Sequence, residues 1–212
     1  MHYLSIATIA RGEALYIEEW VKYHLGIGVD HIYLYDNEYK HVKEFPVRLV
    51  HKCLGPQVTL IPFEGETMQT KMTEHALFNF RKATRWLAFT DVDEFFVPYK
   101  TDNLKEVLSA YEKYPALGVH WRLFGSSNRK SYSPEPVLER FTRRAAEVDR
   151  HIKCITVPTK TYKWVTVHKF THGRESAVDE NYREIPEAES RPEHAGSGKD
   201  QRAQCLDRFA AV

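Results

Sequence analysis

Three carboxylates interrupt the most apolar segment of this 212-residue chain, the run Trp-Leu-Ala-Phe-Thr-Asp-Val-Asp-Glu-Phe-Phe-Val over residues 86–97. Burying charge in such a strand is costly unless a metal ion or a cationic partner compensates it. Asp91 and Asp93 are two residues apart, so on an extended strand they point to the same side, whereas Glu94 points away. Carboxylate oxygens are preferred ligands of hard divalent cations. The pattern predicts a Mg²⁺ or Mn²⁺ site at the two aspartates and a structural role for Glu94; a solvated acidic turn is the competing interpretation.

Polar residues also follow two other strand-like runs near the start of the chain. Arg11 follows the apolar run of residues 3–10, and Asp36 follows the run of residues 31–35. Arg11 can contact a base or a phosphate, and Asp36 can accept hydrogen bonds from ribose hydroxyls or a base edge. Ordinary strand-end polarity explains either residue taken alone. A divalent cation held by the aspartates of the acidic run could bridge diphosphate oxygens and stabilise a departing diphosphate.

A late segment and a mid-chain loop add candidate ligands for a metal and for a sugar. His168 lies on an alternating, strand-like segment, where its imidazole could complete a Mn²⁺ shell; a structural or surface histidine is an equally good interpretation. Trp121 precedes a turn-rich loop that carries Ser126 and Ser127. An aromatic face beside hydroxyl groups can bind a sugar, and a core tryptophan is the alternative. Lys153 can either neutralise a phosphate or be solvated at the surface.

The elements that must position these residues alternate between strands and helices. The patterns predict strands over residues 3–10, 31–35, 58–63, 86–97, 117–124, 152–157 and 164–170, and helices over residues 14–25, 70–85 and 104–114. This alternation predicts an α/β fold, with a Rossmann-like, mostly parallel sheet flanked by helices in a single domain. Such sheets bind ligands at the carboxyl ends of their strands. The three polar clusters are therefore expected to meet on one rim.

Composition and cysteine usage exclude several classes of protein. Thirty basic and 29 acidic residues give a formal charge of +1, so no overall field favours nucleic acid. Three widely spaced cysteines, with no Cys-x-x-Cys pattern, disfavour a disulfide framework or structural zinc and suit a cytoplasmic protein. No run approaches the roughly 18 apolar residues of a transmembrane segment. A domain of residues 1–175 is predicted, followed by an irregular or disordered polar tail over residues 176–212.

Four segments then occur in the order found in a known family, namely Ala10–His24, Gly26–Asn37, Trp86–Phe95 and Trp121–Ser127. Together they resemble the family 2-like and family 92-like glycosyltransferases, which have a GT-A fold, over residues 3–175. The resemblance implies a nucleotide-sugar donor, either a UDP- or a GDP-sugar, and a glycan or other hydroxyl acceptor. It also implies Mn²⁺ or Mg²⁺ as the cofactor and inversion at the anomeric carbon.

Carried onto this sequence, the resemblance assigns roles to residues of the expected rim. Asp91 and Asp93 become the Asp-x-Asp site for metal and diphosphate. The implied contacts to the nucleotide sugar are Arg11, Glu13, Asp36, Gln69 and Asp91, and those to the sugar or acceptor are Trp121, Ser126 and Ser127. An inverting transfer needs a base that deprotonates the acceptor hydroxyl. Its identity is unknown, and the candidates are Asp149, Asp179 and Glu180.

Two departures from the family pattern keep other functions open. Gly12 stands where these enzymes usually carry Asn, and the tail lacks the His-Tyr and Lys-Ser pattern expected near the end of such domains. A degenerate transferase that binds a nucleotide or a sugar without catalysis fits both departures. A phosphatase that uses the first Asp of an Asp-x-Asp motif as its nucleophile is a third class. In that class the motif ends the first strand, whereas here it comes after at least three candidate strands.

Overall fold

The computed structural model describes residues 1–38, 47, 50–131, 133–166, 169–186 and 209–211. Its strands are β1 (His2–Ala10), β2 (His31–Asp36), β3 (Val58–Pro62), β4 (Thr84–Phe89), β5 (Phe96–Pro98), β6 (Ala116–His120), β7 (Ile152–Thr156), β8 (Lys163–Thr166), β9 (Lys169–Thr171), β10 (Ala177–Asp179), β11 (Glu184–Ile185) and β12 (Phe209–Ala211). Its α-helices are α1 (Ile17–Gly26), α2 (Gln69–Phe80), α3 (Leu104–Ser109) and α4 (Val137–Arg140).

Eight of these strands form one mixed sheet, in the order β11-β10-β6-β7-β4-β1-β2-β3. β1 runs parallel to β2 and β4, β2 to β3, and β6 to β10, whereas β7 is antiparallel to both β4 and β6. β4 and β6 therefore run in the same direction. The carboxyl ends of β1, β2, β4, β6 and β10 lie at one edge of the sheet, together with the amino end of β7. The predicted α/β fold with a mostly parallel sheet is confirmed.

Helices cover both faces of this sheet. Ile17 and Trp20 of α1 are buried on one face, in a cluster that includes Trp86 of β4. Met72 of α2 is buried on the opposite face, in a cluster that includes Leu87. Trp86 and Leu87 are adjacent in β4 and point to opposite faces, because successive side chains of a strand alternate. The central strands are therefore apolar on both sides, as a parallel sheet requires.

The apolar run of residues 86–97 is not one strand, and this corrects the sequence prediction. A turn over residues 91–95, here called the acidic turn, separates β4 from β5, with Glu94 N donating to Asp91 O at 3.1 Å. The Glu94 carboxylate accepts hydrogen bonds from Thr90 Oγ1 (3.0 Å) and Asp91 N (3.2 Å), which close the turn. The predicted alternation of side chains does not occur here, because these local bonds replace the extended backbone. The predicted structural role of Glu94 agrees with them.

The late part of the chain also differs from the prediction. The predicted strand over residues 164–170 is a hairpin of β8 and β9. β10 and β11 join the main sheet and β12 pairs with β5, so the irregular tail predicted from residue 176 does not describe these three strands. Each is only two or three residues long, which is too short for a periodic pattern. Within the described part of the chain, no helix is both long enough and apolar enough to cross a bilayer.

Candidate active site

Side chains that can do chemistry gather along the edge where the parallel strands end. From β10 towards β2, this rim carries Glu180, His120, Lys153, Asp91, Arg11 and Asp36. Neighbouring strands lie about 4.8 Å apart, so β2 and β6 are each about 10 Å from β4. The three polar clusters of the sequence therefore meet at one rim, with the acidic turn near its centre.

A buried lysine holds the acidic turn. Lys153 is 3% exposed, and its Nζ lies 2.6 Å from Asp91 Oδ2 and 3.0 Å from Glu94 Oε2. Burial would lower the pKa of Lys153, but the charges of Glu94 and Asp91 outweigh burial and raise that pKa. Burial raises the pKa of Glu94, and the ammonium of Lys153 opposes that rise. In the sequence, the position of Lys153 between the apolar Ile152 and Cys154 could indicate a buried lysine, but it did not identify Asp91 and Glu94 as the partners.

Two residues predicted to contact the donor, Gln69 and Asp36, lie at the rim. Gln69 begins α2, and its Nε2 donates to Asp91 Oδ1 at 3.0 Å. It therefore holds the second oxygen of the carboxylate whose first oxygen contacts Lys153. Asp36 ends β2, is 6% exposed and accepts a hydrogen bond from Glu38 N at 3.3 Å. The structure thus joins Gln69 to the acidic turn and places Asp36 at the carboxyl end of β2.

The loop after β1 brings a further carboxylate to the acidic turn. Burial raises the pKa of Glu13 to about 7; a hydrogen bond from Arg11 N opposes this rise, and the charges of Asp93, Asp91 and Glu38 add to it. The bond from Arg11 N to Glu13 Oε2 is 3.2 Å long, and the Arg11 side chain is exposed. Carboxylates from the loops after β1 and β2 and from the acidic turn therefore act on one another electrostatically.

The backbone at Gly12 accounts for one departure from the family pattern. Gly12 has a φ of +76°, and its N–H donates to Glu38 Oε1 at 2.9 Å. Among the residues with a side chain, Asn is one of those that enter this left-handed region most readily, and glycine enters it without penalty. Glycine at this position therefore preserves a loop conformation that Asn would also allow.

A cavity of about 610 Å³ lies beside the acidic turn. Four residues predicted from the sequence line it, namely Glu13, Asp93, Trp121 and Ser126. The remaining lining residues are Tyr16, Val92, Glu94, Phe95, Arg122, Leu123, Phe124, Gly125, Val137, Leu138, Arg140 and Phe141. A cavity of this volume suits a small-molecule ligand. The structure thus brings the acidic turn and the predicted sugar-facing loop to one cavity.

Trp121 and Ser127, the two other residues predicted near the sugar, make contacts within the protein. The Trp121 ring stacks on His151 at 5.1 Å between centroids, and Lys153 Nζ lies 5.4 Å from the Trp121 centroid. Ser127 does not line the cavity. Its Oγ accepts hydrogen bonds from the backbone N atoms of residues 142 and 143, at 3.0 and 3.2 Å, and so holds the loop in place.

The three base candidates all make hydrogen bonds that organise their surroundings. Asp149 Oδ1 accepts a bond from His151 N (2.9 Å), and Asp179 Oδ1 accepts two backbone N–H bonds in the turn after β10. Glu180 accepts a bond from His120 N at 2.8 Å and lies 2.7 Å from His120 Nδ1. Ligand atoms of His120, Asp179 and Glu180 lie within 4.8 Å of one another, a group that these bonds already explain. None of the three candidates lines the cavity.

The donor set of the acidic turn fits a hard divalent cation. Asp91 and Asp93 supply carboxylate oxygens, which Mg²⁺ and Mn²⁺ favour. The charges that help to raise the pKa of Glu13 come from neighbouring carboxylates, and a divalent cation would relieve that excess of negative charge. Two protein carboxylates completed by phosphate oxygens are a common arrangement for Mg²⁺. His168, the third predicted ligand, lies outside the described residues.

Comparisons with known proteins point to one family. The family model described as Glycosyltransferase family 92 matches residues 3–189. A Glycosyltransferase family 92 protein of Oryza sativa subsp. japonica is 28% identical over 153 residues, which are 71% of this chain and 26% of that protein. A counterpart from Arabidopsis thaliana is 25% identical over 162 residues, covering 71% of this chain and 28% of that protein. The chain thus spans about a quarter of the length of these relatives. The solved structure of S. aureus TarS aligns with a TM-score of 0.40 and 16% identity, over 64% of this chain and 25% of that one.

Proposed function

This chain belongs to glycosyltransferase family 92, and we propose that it moves a sugar from a nucleotide-sugar donor to an acceptor hydroxyl. The donor is a UDP- or GDP-sugar, the reaction depends on Mn²⁺ or Mg²⁺, and it inverts the anomeric carbon. One observation carries this proposal. The carboxylates of Glu13, Asp91 and Asp93 follow β1 and β4 at the rim and interact electrostatically, beside a cavity of about 610 Å³ that Glu13 and Asp93 line. That is where an α/β sheet binds its ligand.

The order of the strands suggests how the ligand lies. Arg11 and Asp36, on the β1–β2 side of the acidic turn, would contact the nucleotide, and the cavity on the other side would take the sugar and the acceptor. Asp91 and Asp93 would hold the cation, which supplies neutralisation of the diphosphate as it leaves. Lys153 and Gln69 would keep Asp91 in the orientation that this requires, because they occupy one oxygen each.

The proposal also needs a base that deprotonates the acceptor hydroxyl. Asp149, Asp179 and Glu180 stay predictions for this role. The cytoplasmic location and the hydroxyl class of the acceptor likewise stay predictions. A degenerate transferase would bind the donor by the same residues, so binding and transfer must be measured separately.

Thermal denaturation with nucleotides tests the binding half of the proposal. UDP or GDP with Mn²⁺, at about 100 times its Kd, should stabilise the native state by about 2.7 kcal/mol. For a chain of this size that corresponds to a rise in Tm of about 5–10 °C. Asp93→Asn should abolish the rise that depends on Mn²⁺, because it removes a metal ligand.

Asp102→Asn is the matched control, since Asp102 is an exposed aspartate that does not line the cavity. It should retain the full shift. An equal shift in the Asp93 and Asp102 variants would remove the acidic turn from the binding site. Release of the nucleoside diphosphate from the nucleotide sugar then tests turnover, and binding without any release or transfer would identify a degenerate transferase.

A further inference from the structure

The cavity beside the acidic turn has two chemically different parts. The first is formed by the carboxylates of Glu13, Asp93 and Glu94. The second is a wall of apolar and aromatic side chains that are not fully buried, made of Tyr16, Trp121, Leu123, Phe124, Val137, Leu138 and Phe141. Water gains little from such a wall, whereas an apolar ligand group that covers it is favoured in proportion to the area removed from water. The wall extends well beyond the one aromatic ring that the sequence associates with a sugar.

The arginines of the cavity do not turn it into an anion site. Arg140 is 7% exposed, and its guanidinium lies 5.1 Å from the Phe141 ring centroid and 5.7 Å from that of Tyr16. Arg122 is 4% exposed and donates to a backbone carbonyl at 3.3 Å. Asp93, in contrast, is exposed. Both guanidinium groups are therefore largely covered by protein, and the apolar wall is the larger surface that the cavity offers to a ligand.

Leu123 shows that part of the wall is uncovered. It lines the cavity and is 50% exposed. Its neighbours on the wall, Phe124 and Trp121, are partly exposed as well. An apolar group placed against Leu123 would remove all three from water without displacing any charge.

We propose that the acceptor is a glycoside whose apolar or aromatic aglycone lies on this wall, with its reacting hydroxyl towards Asp93. The inference rests on the proposed sugar transfer and adds the class of acceptor to it. The wall supplies affinity through the aglycone. A free polar sugar would use only the stacking face near Trp121 and would bind weakly.

Direct binding of two pairs of probes tests this class of acceptor without knowledge of the donor. Calorimetry in the presence of Mn²⁺ and UDP or GDP would compare phenyl with methyl β-D-glucoside, and phenyl with methyl β-D-galactoside. The phenyl glycosides should bind about tenfold tighter than the methyl glycosides, because the ring is buried against the wall. Equal affinities of phenyl and methyl glycosides would overturn the proposal.

Two leucines offer a matched pair of variants. Leu123 and Leu15 are each 50% exposed, but only Leu123 lines the cavity. Leu123→Ser should reduce the preference for phenyl over methyl glycoside at least about threefold, whereas Leu15→Ser should leave it unchanged. Equal effects of the two substitutions would also overturn the proposal.

The nucleotide response separates this inference from the proposed function. A nucleotide shift without a preference for the aglycone would leave the sugar transfer standing and reject the acceptor class. A preference for the phenyl glycoside, without any rise in Tm on adding UDP or GDP with Mn²⁺, would reject the role of the ligand as an acceptor. In that case no donor would be bound.

Discussion

Within the described residues, Lys153 is the one cation in contact with Asp91 and Glu94; replacing it by Met removes that charge and leaves a side chain of similar length. The side chain of Lys153 is 4% exposed, that of Glu94 15%, and that of Asp91 38%. Removing one partner of a buried ion pair costs about 3–5 kcal/mol. Asp91 is solvated enough that the loss of Lys153 changes its free energy little. The cost of an unpaired buried charge therefore arises mainly at Glu94. We expect Lys153→Met to lower the free energy of unfolding by about 2–3 kcal/mol at pH 7.

Urea unfolding at several pH values measures this effect and tests its electrostatic origin. Without the ammonium, the pKa of Glu94, which burial already raises, should rise further. A carboxyl whose pKa is higher in the folded state contributes stability at low pH and loses it as the pH rises. The deficit of Lys153→Met should therefore shrink between pH 7 and pH 5. Glu94→Gln should rescue most of the deficit in the double variant, since it removes the uncompensated charge.

An exposed pair on the same chain provides the control. Lys160 Nζ lies 2.6 Å from Glu175 Oε2, but these side chains are 33% and 48% exposed. Lys160→Met should cost less than about 1 kcal/mol. A loss equal to that of Lys160→Met, or no rescue by Glu94→Gln, would refute the assignment of Lys153 as the counter-charge of the acidic turn.

Two further predictions concern the supports of the rim. Burial lowers the pKa of His24 to about 3, so the unfolded state takes up a proton first as the pH falls below about 6.5. The free energy of unfolding should therefore decrease by about 2 kcal/mol between neutral pH and pH 5. Urea unfolding of His24→Gln should lack this pH-dependent loss. The neutral ring accepts from Phe96 N at 3.3 Å, a bond that protonation breaks, so an unchanged pH profile in the variant would contradict the assignment. Gly12→Ala should lower the unfolding free energy by about 1 kcal/mol because φ is +76°, whereas Gly12→Asn should cost less, and equal losses would argue against backbone strain as the cause.

Much of the fold could be predicted from local patterns. β1, β2 and β3 begin within a residue of the predicted strands, and the apolar spacing of Ile17, Trp20 and Val21 identified α1. The acidic turn was mispredicted because apolar composition dominated the interpretation of residues 86–97. The bonds that close the turn run from Thr90 and Asp91 to a carboxylate three or four residues later, a local competition that periodicity does not register.

Some residues of the candidate site could be predicted from the sequence, whereas the contacts of others depend on the folded loops. Asp91, Asp93 and Glu13 could be proposed from residue type and family resemblance, and Asp93 and Glu13 do line one cavity. Ser127 was proposed for its hydroxyl, yet that hydroxyl is used by the loop itself. Residue type indicates which chemistry a side chain can do, but its present partners depend on the loop conformation.

The sequence by itself determined the order of strands and helices and the concentration of carboxylates after β4, because both follow from residue type and spacing along the chain. Only the tertiary structure decided that Lys153 neutralises this turn. Lys153 and Asp91 are 62 residues apart, and they meet because β7 inserts antiparallel beside β4. Strand order arises from packing over the whole sheet, and no local pattern encodes it. That packing decides which charged groups are paired, so the ion pairs at the rim could be identified only in the folded chain.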